Sequence, residues 1–111
     1  MQQLQIIESI EEAEIIISKN EAVLFYFSTN SCVVGEALLP KVSTLIQEKF
    51  PEIKVFNIDL NFSPKLAAHF NAFIEPTILV FFDGKEFIRK IRNIGIFELE
   101  QAIERPYKLI F

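Results

Sequence analysis

Cys32 is the one cysteine among 111 residues, and it follows a polar run, Thr29-Asn30-Ser31, at the point where a helical pattern begins. A thiol at a helix start faces unpaired amides and the positive end of the helix dipole, and both favour the thiolate, the form that attacks disulfides. One sulfur permits a mixed disulfide and forbids an intramolecular one. Two readings of Cys32 stay open: an accessible nucleophile, or a small buried hydrophobe, the common fate of a lone cysteine. The polar residues before it favour the first. Glu36, in the first helical turn, works against strong activation, because nearby negative charge disfavours a thiolate. Gly35 offers no side-chain donor. His69 has no Cys, His or carboxylate at metal-ligand spacing that would complete a zinc site with Cys32, so neither a metal nor a cofactor is expected.

Composition narrows the classes of function. The formal net charge is −4 with basic residues dispersed, which argues against binding nucleic acid through clustered Lys and Arg. Arg89, Lys90 and Arg92 form the dense basic spot; alternation along a strand sends Arg89 and Lys90 to opposite faces, the pattern of a solvated edge. Half the residues are hydrophobic and 23% are charged, the balance of a chain that folds unaided. One soluble domain over residues 1–111 is expected, with no linker or repeat. Met1 to Ile10 carries no Lys or Arg and no long apolar run, so no leader peptide is read there, and no stretch approaches a membrane span. A single cysteine fits the reducing cytosol, and a cytoplasmic location is expected. Twelve Phe beside no Trp carry no functional reading.

The elements that must position Cys32 follow from periodicity. Ser9-Ile10-Glu11-Glu12 reads as a capping box opening a helix to about Lys19, with Ile10, Ala13 and Ile17 on its apolar face. Ala22 to Phe27 is a continuous apolar run suited to a strand covered on both faces. Leu38, Val42, Leu45 and Ile46 follow helical spacing, with Lys49 closing the stripe and Pro40 expected to kink the helix. Lys54 to Leu60 reads as a strand and Pro64 to Phe70 as a short helix with Pro at its start. Thr77 to Phe82 and Glu86 to Ile91 read as strands joined by the Asp83-Gly84 hairpin signal. A final helix follows Gly95, with Ile96, Leu99 and Ile103 on one side, and Pro106 is expected to end it. A short strand over Leu4 to Ile7 would precede the rest. Strands separated by helices imply parallel neighbours, with the hairpin as an antiparallel edge. The tail Leu109-Ile110-Phe111 is expected to pack against its own domain.

This order, with a lone Cys between a buried strand and a kinked helix and a Pro-Thr opening a later strand, resembles the thioredoxin family over nearly the whole chain. Phe27, Cys32 and Pro40 resemble its strand, redox turn and helix-kinking proline, and Asn57-Ile58-Asp59 the end of its next strand. Glu75-Pro76-Thr77 resembles its cis-proline turn, and Phe82-Asp83-Gly84-Lys85 its hairpin. The resemblance implies an α/β thioredoxin fold, a central mixed sheet of four to five strands flanked by four helices. It also implies a site in which Cys32 is catalytic and Ser31, Val33, Gly35, Glu75 and Pro76 meet the substrate, with the backbone of Glu75 pairing an extended peptide. An acidic residue there would tend to repel acidic peptides.

The departures bear on mechanism. Cys-Val-Val-Gly stands in place of the family's Cys-Gly-Pro-Cys, so the nucleophile is kept and Gly35 replaces the resolving cysteine. Tyr26 and Val55 stand where the family has the Asp and Lys that help move the proton. The expected activity is monothiol exchange with a protein or low-molecular-weight disulfide, an external thiol resolving the mixed disulfide. The competing expectation is a redox-silent module binding a peptide or partner beside Pro76; a redox sensor is a third. Oligomeric state is left open.

Overall fold

A computed structural model describes residues 5–29, 33–61 and 63–111. Along the chain run β1 (Gln5–Ile6), α1 (Ile10–Lys19), β2 (Ala22–Ser28), α2 (Val33–Lys49), β3 (Lys54–Asp59), α3 (Pro64–Phe70), β4 (Thr77–Phe82), β5 (Lys85–Ile91) and α4 (Ile96–Ile110). The strands form one sheet in the order β1-β3-β2-β4-β5. Of the short first strand, Leu4 lies outside the described residues, and β1 is the two-residue remainder.

Ser9 caps α1: its Oγ accepts the Glu12 N–H at 3.1 Å, while the Glu12 carboxylate accepts the Glu8 N–H at 3.2 Å. The reciprocal bond of the capping box thus falls one residue ahead of the cap itself. Ala13 and Ile17 bury the inner face. β2 is buried along its whole length, as its unbroken apolar run requires, because helices cover the sheet on both sides. Leu24 and Tyr26 meet Val42, Leu45 and Ile46 of α2 and Leu99 and Ile103 of α4. Phe25 and Phe27 face the other way, toward α1 and α3. There the phenylalanines find their use. The ring of Phe25 lies 6.0 Å from Phe56, 5.6 Å from Phe70 and 5.4 Å from Phe81 between centroids, in edge-on or tilted geometries that aromatic quadrupoles favour.

The parallel expectation holds for β3 with β1 and with β2, and fails for β4, which pairs antiparallel with β2. The seven residues of α3 advance about 10 Å, whereas the seven residues of β2 span about 23 Å. The helix by itself is thus shorter than the strand beside it. β4 starts at the end of the sheet where β3 stopped, with Thr77 opposite Phe27, and runs back.

The turn to β5 uses Asp83 and Gly84 at φ 53° and 79°, the paired left-handed residues of a tight hairpin, where glycine costs little. β5 begins at Lys85, and a bulge sets Val80 opposite Ile88 but Phe81 opposite Glu86, leaving Phe87 as the extra residue.

Pro106 does not end α4, which continues to Ile110. The proline removes one backbone hydrogen bond, but Tyr107 anchors the next turn. Its ring packs on Phe50 at 5.0 Å and its hydroxyl accepts the Glu52 N–H at 3.2 Å. α2 likewise runs through Pro40, and Lys49 at its end bonds Glu100 of α4 at 2.7 Å, which holds the ammonium above the usual lysine range. The tail departs from expectation: Phe111 leans on the ring of Tyr107, but Leu109 is 82% exposed. Only one side of the last helical turn faces the body of the protein.

Candidate thiol site at the Glu75-Pro76 turn

Thr29 follows the last residue of β2 and is buried. The end of β2 is tied to β3 by the Leu60 N–H donating to Ser28 O at 3.1 Å. The Thr29 hydroxyl donates to Oε2 of Glu75 at 3.0 Å. Ser31 and Cys32 lie outside the described residues, as does the distance from Pro76 to Cys32. Val33 and Gly35 belong to the first turns of α2. The chain thus leaves β2 at Thr29 and re-enters regular structure at Val33, with Cys32 immediately ahead of the helix in sequence.

The peptide bond between Glu75 and Pro76 is cis, as the resemblance implied. The turn is held from several sides. Pro76 O accepts the backbone N–H of Arg92 at 2.9 Å, with Arg92 at φ 62°. The Thr77 hydroxyl bonds back to Ile74 O, and Thr77 is itself fully buried. Ahead of the turn, Arg89 reaches across from β5: Nη2 donates to Phe70 O at 2.8 Å and Nη1 to Asn71 O at 3.0 Å. Nε and Nη2 also bond Glu86, each at 2.9 Å. Arg89 is exposed on the edge strand β5, as its alternation suggested, and its side chain is also held by these bonds. Its fork satisfies carbonyls at the negative end of α3 while pairing a carboxylate, a match of planar donors to converging acceptors.

Beside the turn, Phe73 is 65% exposed and Ile74 is half-buried. Among the described residues no cation pairs with Glu75. Tyr26 is fully buried in the layer under α2 and α4, and Val55 packs against the same cluster. The positions that resemble the family's proton relay are therefore occupied by packing groups. Next to Tyr26 across the ladder stands Asn57, whose buried Oδ1 has no hydrogen-bond partner among the described residues. His69 lies on the surface of α3, bonded to Glu14 of α1 at 2.6 Å. A groove of about 780 Å³ runs elsewhere, between Leu38, Lys41 and Leu45 of α2 and Ile94 and Ile96, without Glu75 or Pro76 in its walls.

Sequence reasoning named Glu75 and Pro76 as candidates but did not find Thr29 and Arg89, which bond to Glu75 and to the segment before it. A threonine at a strand end and an arginine in a charged strand carry no signature of a partner 46 residues away for Thr29 or 18 and 19 residues away for Arg89.

The sheet order, the four helices and the cis turn define a thioredoxin fold, and the chain belongs to the thioredoxin family: the family model described as Thioredoxin matches residues 5–105. A thioredoxin-like protein of Bacillus subtilis, YdfQ, is 31% identical over 109 residues, spanning 98% of this chain and 96% of that protein. Among solved structures, thioredoxin 1 of Thermosipho africanus is 30% identical with a TM-score of 0.72, covering 79% of this chain and 97% of its own. Mitochondrial thioredoxin 3 of Saccharomyces cerevisiae, in its oxidised form, is similar in fold with a TM-score of 0.83 at 22% identity, covering 91% and 93%. No helix among the described residues is long and apolar enough to cross a membrane.

Proposed function

We propose that this chain, as one domain over residues 1–111, is a monothiol thiol–disulfide exchange protein of the cytoplasm. The Cys32 thiolate attacks one sulfur of a protein or low-molecular-weight disulfide. A new S–S bond forms to Cys32, the old one breaks, and the second substrate sulfur leaves as thiolate. An external thiolate then attacks the mixed disulfide and restores Cys32, so the oxidant is the substrate disulfide and the electrons come from the external thiol. Ser31, Val33, Gly35, Glu75 and Pro76 would line the substrate's approach.

The observation that carries this reading is the Thr29–Glu75 bond. It ties the strand end that leads into Cys32 to the turn expected to receive substrate. A second reading, a redox-silent module that binds a partner beside Pro76, is favoured by exposed Phe73 and by the packed Tyr26 and Val55. The two separate by experiment. The folded protein is treated with iodoacetamide and, separately, with oxidised glutathione at neutral pH, and Cys32 is followed by mass spectrometry. Modification of Cys32 in the native state supports exchange. A Cys32 inert to both, with partner capture unchanged in Cys32→Ser, establishes the silent module instead.

A further inference from the structure

We propose that the open edge of β5 binds an extended, acidic segment of a partner protein as an added strand, by a route that does not involve Cys32. β5 closes one side of the sheet. In an antiparallel ladder, residues bonded to the neighbouring strand alternate with residues whose N–H and C=O point away from it. The Arg92 N–H donates to Pro76 O, and in the same register Lys90 stands opposite Ile78 and Ile88 opposite Val80, so these are the bonded positions. Arg89 and Ile91, between them, turn their N–H and C=O outward, and among the described residues no backbone group beyond the sheet meets them.

The side chains along this edge select the chemistry of the added strand. Lys85, Lys90 and Arg92 have no ion-pair partner among the described residues, and Glu86, the acid of β5, is taken by Arg89 at 2.9 Å. Phe87 and Ile91 are 56% and 43% exposed. Lys90 shares the α2 and α4 side of the sheet with Ile88, while Ile91 lies on the other side with Arg89, which reaches Phe70 of α3. A segment alternating acidic and apolar residues therefore sets carboxylates beside Lys90 on one side and apolar groups beside Ile91 on the other. A second copy of this chain does not fit. Antiparallel self-pairing through the outward groups sets Arg89 against Arg89, Lys90 against Lys90, or Lys90 against Arg92, whichever register is taken. Cations that keep like edges apart attract an acidic strand.

The probe is a blocked heptapeptide alternating glutamate and valine, with a lysine and valine counterpart as control, added to the full chain and followed by amide NMR and hydrogen exchange. The acidic peptide is expected to bind and to slow exchange at Arg89 and Ile91, and the basic one to leave both unchanged. Its affinity should fall roughly tenfold between ~0.05 M and ~0.5 M salt, and by about the same factor in Lys85→Glu/Lys90→Glu. Ile91→Pro removes one outward N–H and no bond to β4, a place where an edge strand tolerates proline, and should abolish the protection at Arg89. The salt series and the basic control need no variant and decide the matter if the variants fail to fold. No binding, equal binding of the two peptides, or protection centred on Glu75 to Thr77 with Arg89 and Ile91 unchanged would each overturn the proposal and leave the exchange reading untouched.

Discussion

Thr29 and Glu75 are joined by a hydrogen bond of 3.0 Å from hydroxyl to carboxylate, across 46 residues of sequence, at the end of the sheet where β2 stops and β4 starts. A bond to a charged acceptor in a half-buried place contributes about 1.5–3 kcal/mol. Thr29→Val keeps the shape and removes the donor. It is expected to lower stability by about that amount in urea unfolding, with Thr29→Ser close to the unmodified protein. Equal stability of the Val and Ser variants would show that the bond contributes nothing.

Arg89 should behave as a clamp on the segment leading to the turn. Its fork reaches two carbonyls and a carboxylate, and lysine cannot reproduce that planar geometry. Arg89→Lys is therefore expected to be nearly as damaging as Arg89→Met, each costing about 1–3 kcal/mol. Amide exchange across Asn71–Glu75 should accelerate before that of β2. Unchanged exchange in this segment would refute the clamp.

Stability should reside in the phenylalanine layer and owe little to the thiol. Phe25 is fully buried among four other rings, and Phe25→Ala is expected to cost about 3–5 kcal/mol. Cys32→Ser should change stability by less than about 1 kcal/mol if the thiol is accessible. A loss from Cys32→Ser approaching that of Phe25→Ala in denaturant unfolding would make Cys32 a core residue and remove the exchange reading.

Counting sulfurs predicts the redox assay. With thioredoxin reductase as the only electron source, the chain should fail to reduce insulin, because it holds no internal thiol to release the bound substrate. Added glutathione should permit slow turnover. Gly35→Cys should give an intramolecular disulfide detectable by its mass and by loss of free thiol, with proton transfer still poor beside Tyr26 and Val55. Efficient reductase-coupled turnover by the unmodified chain would contradict the monothiol mechanism.

Much of the fold was legible because it is local. The all-apolar run of β2, the Ser9 cap, the Asp83-Gly84 turn and the spacing of Leu38, Val42, Leu45 and Ile46 each depend on neighbours within a few residues. The end of α4 was misread because Pro106 acts locally while Tyr107 is anchored to Phe50 and Glu52, which no local pattern reveals. The pairing of Glu86 with Arg89 was hidden too. Residues three apart on a regular strand point to opposite faces, and it takes the bulge at Phe87 to bring them together.

Sequence alone determined that the chain holds a single cysteine thiol, because covalent inventory does not depend on folding. Tertiary structure decided what surrounds the site. β4 starts at the end of the sheet where β2 finishes, and this sets Glu75 against Thr29 and Pro76 against Arg92. Such contacts join residues far apart in the chain, 46 positions for Thr29 and Glu75, and arise only once the strands are laid side by side, so no local stretch of the sequence carries them.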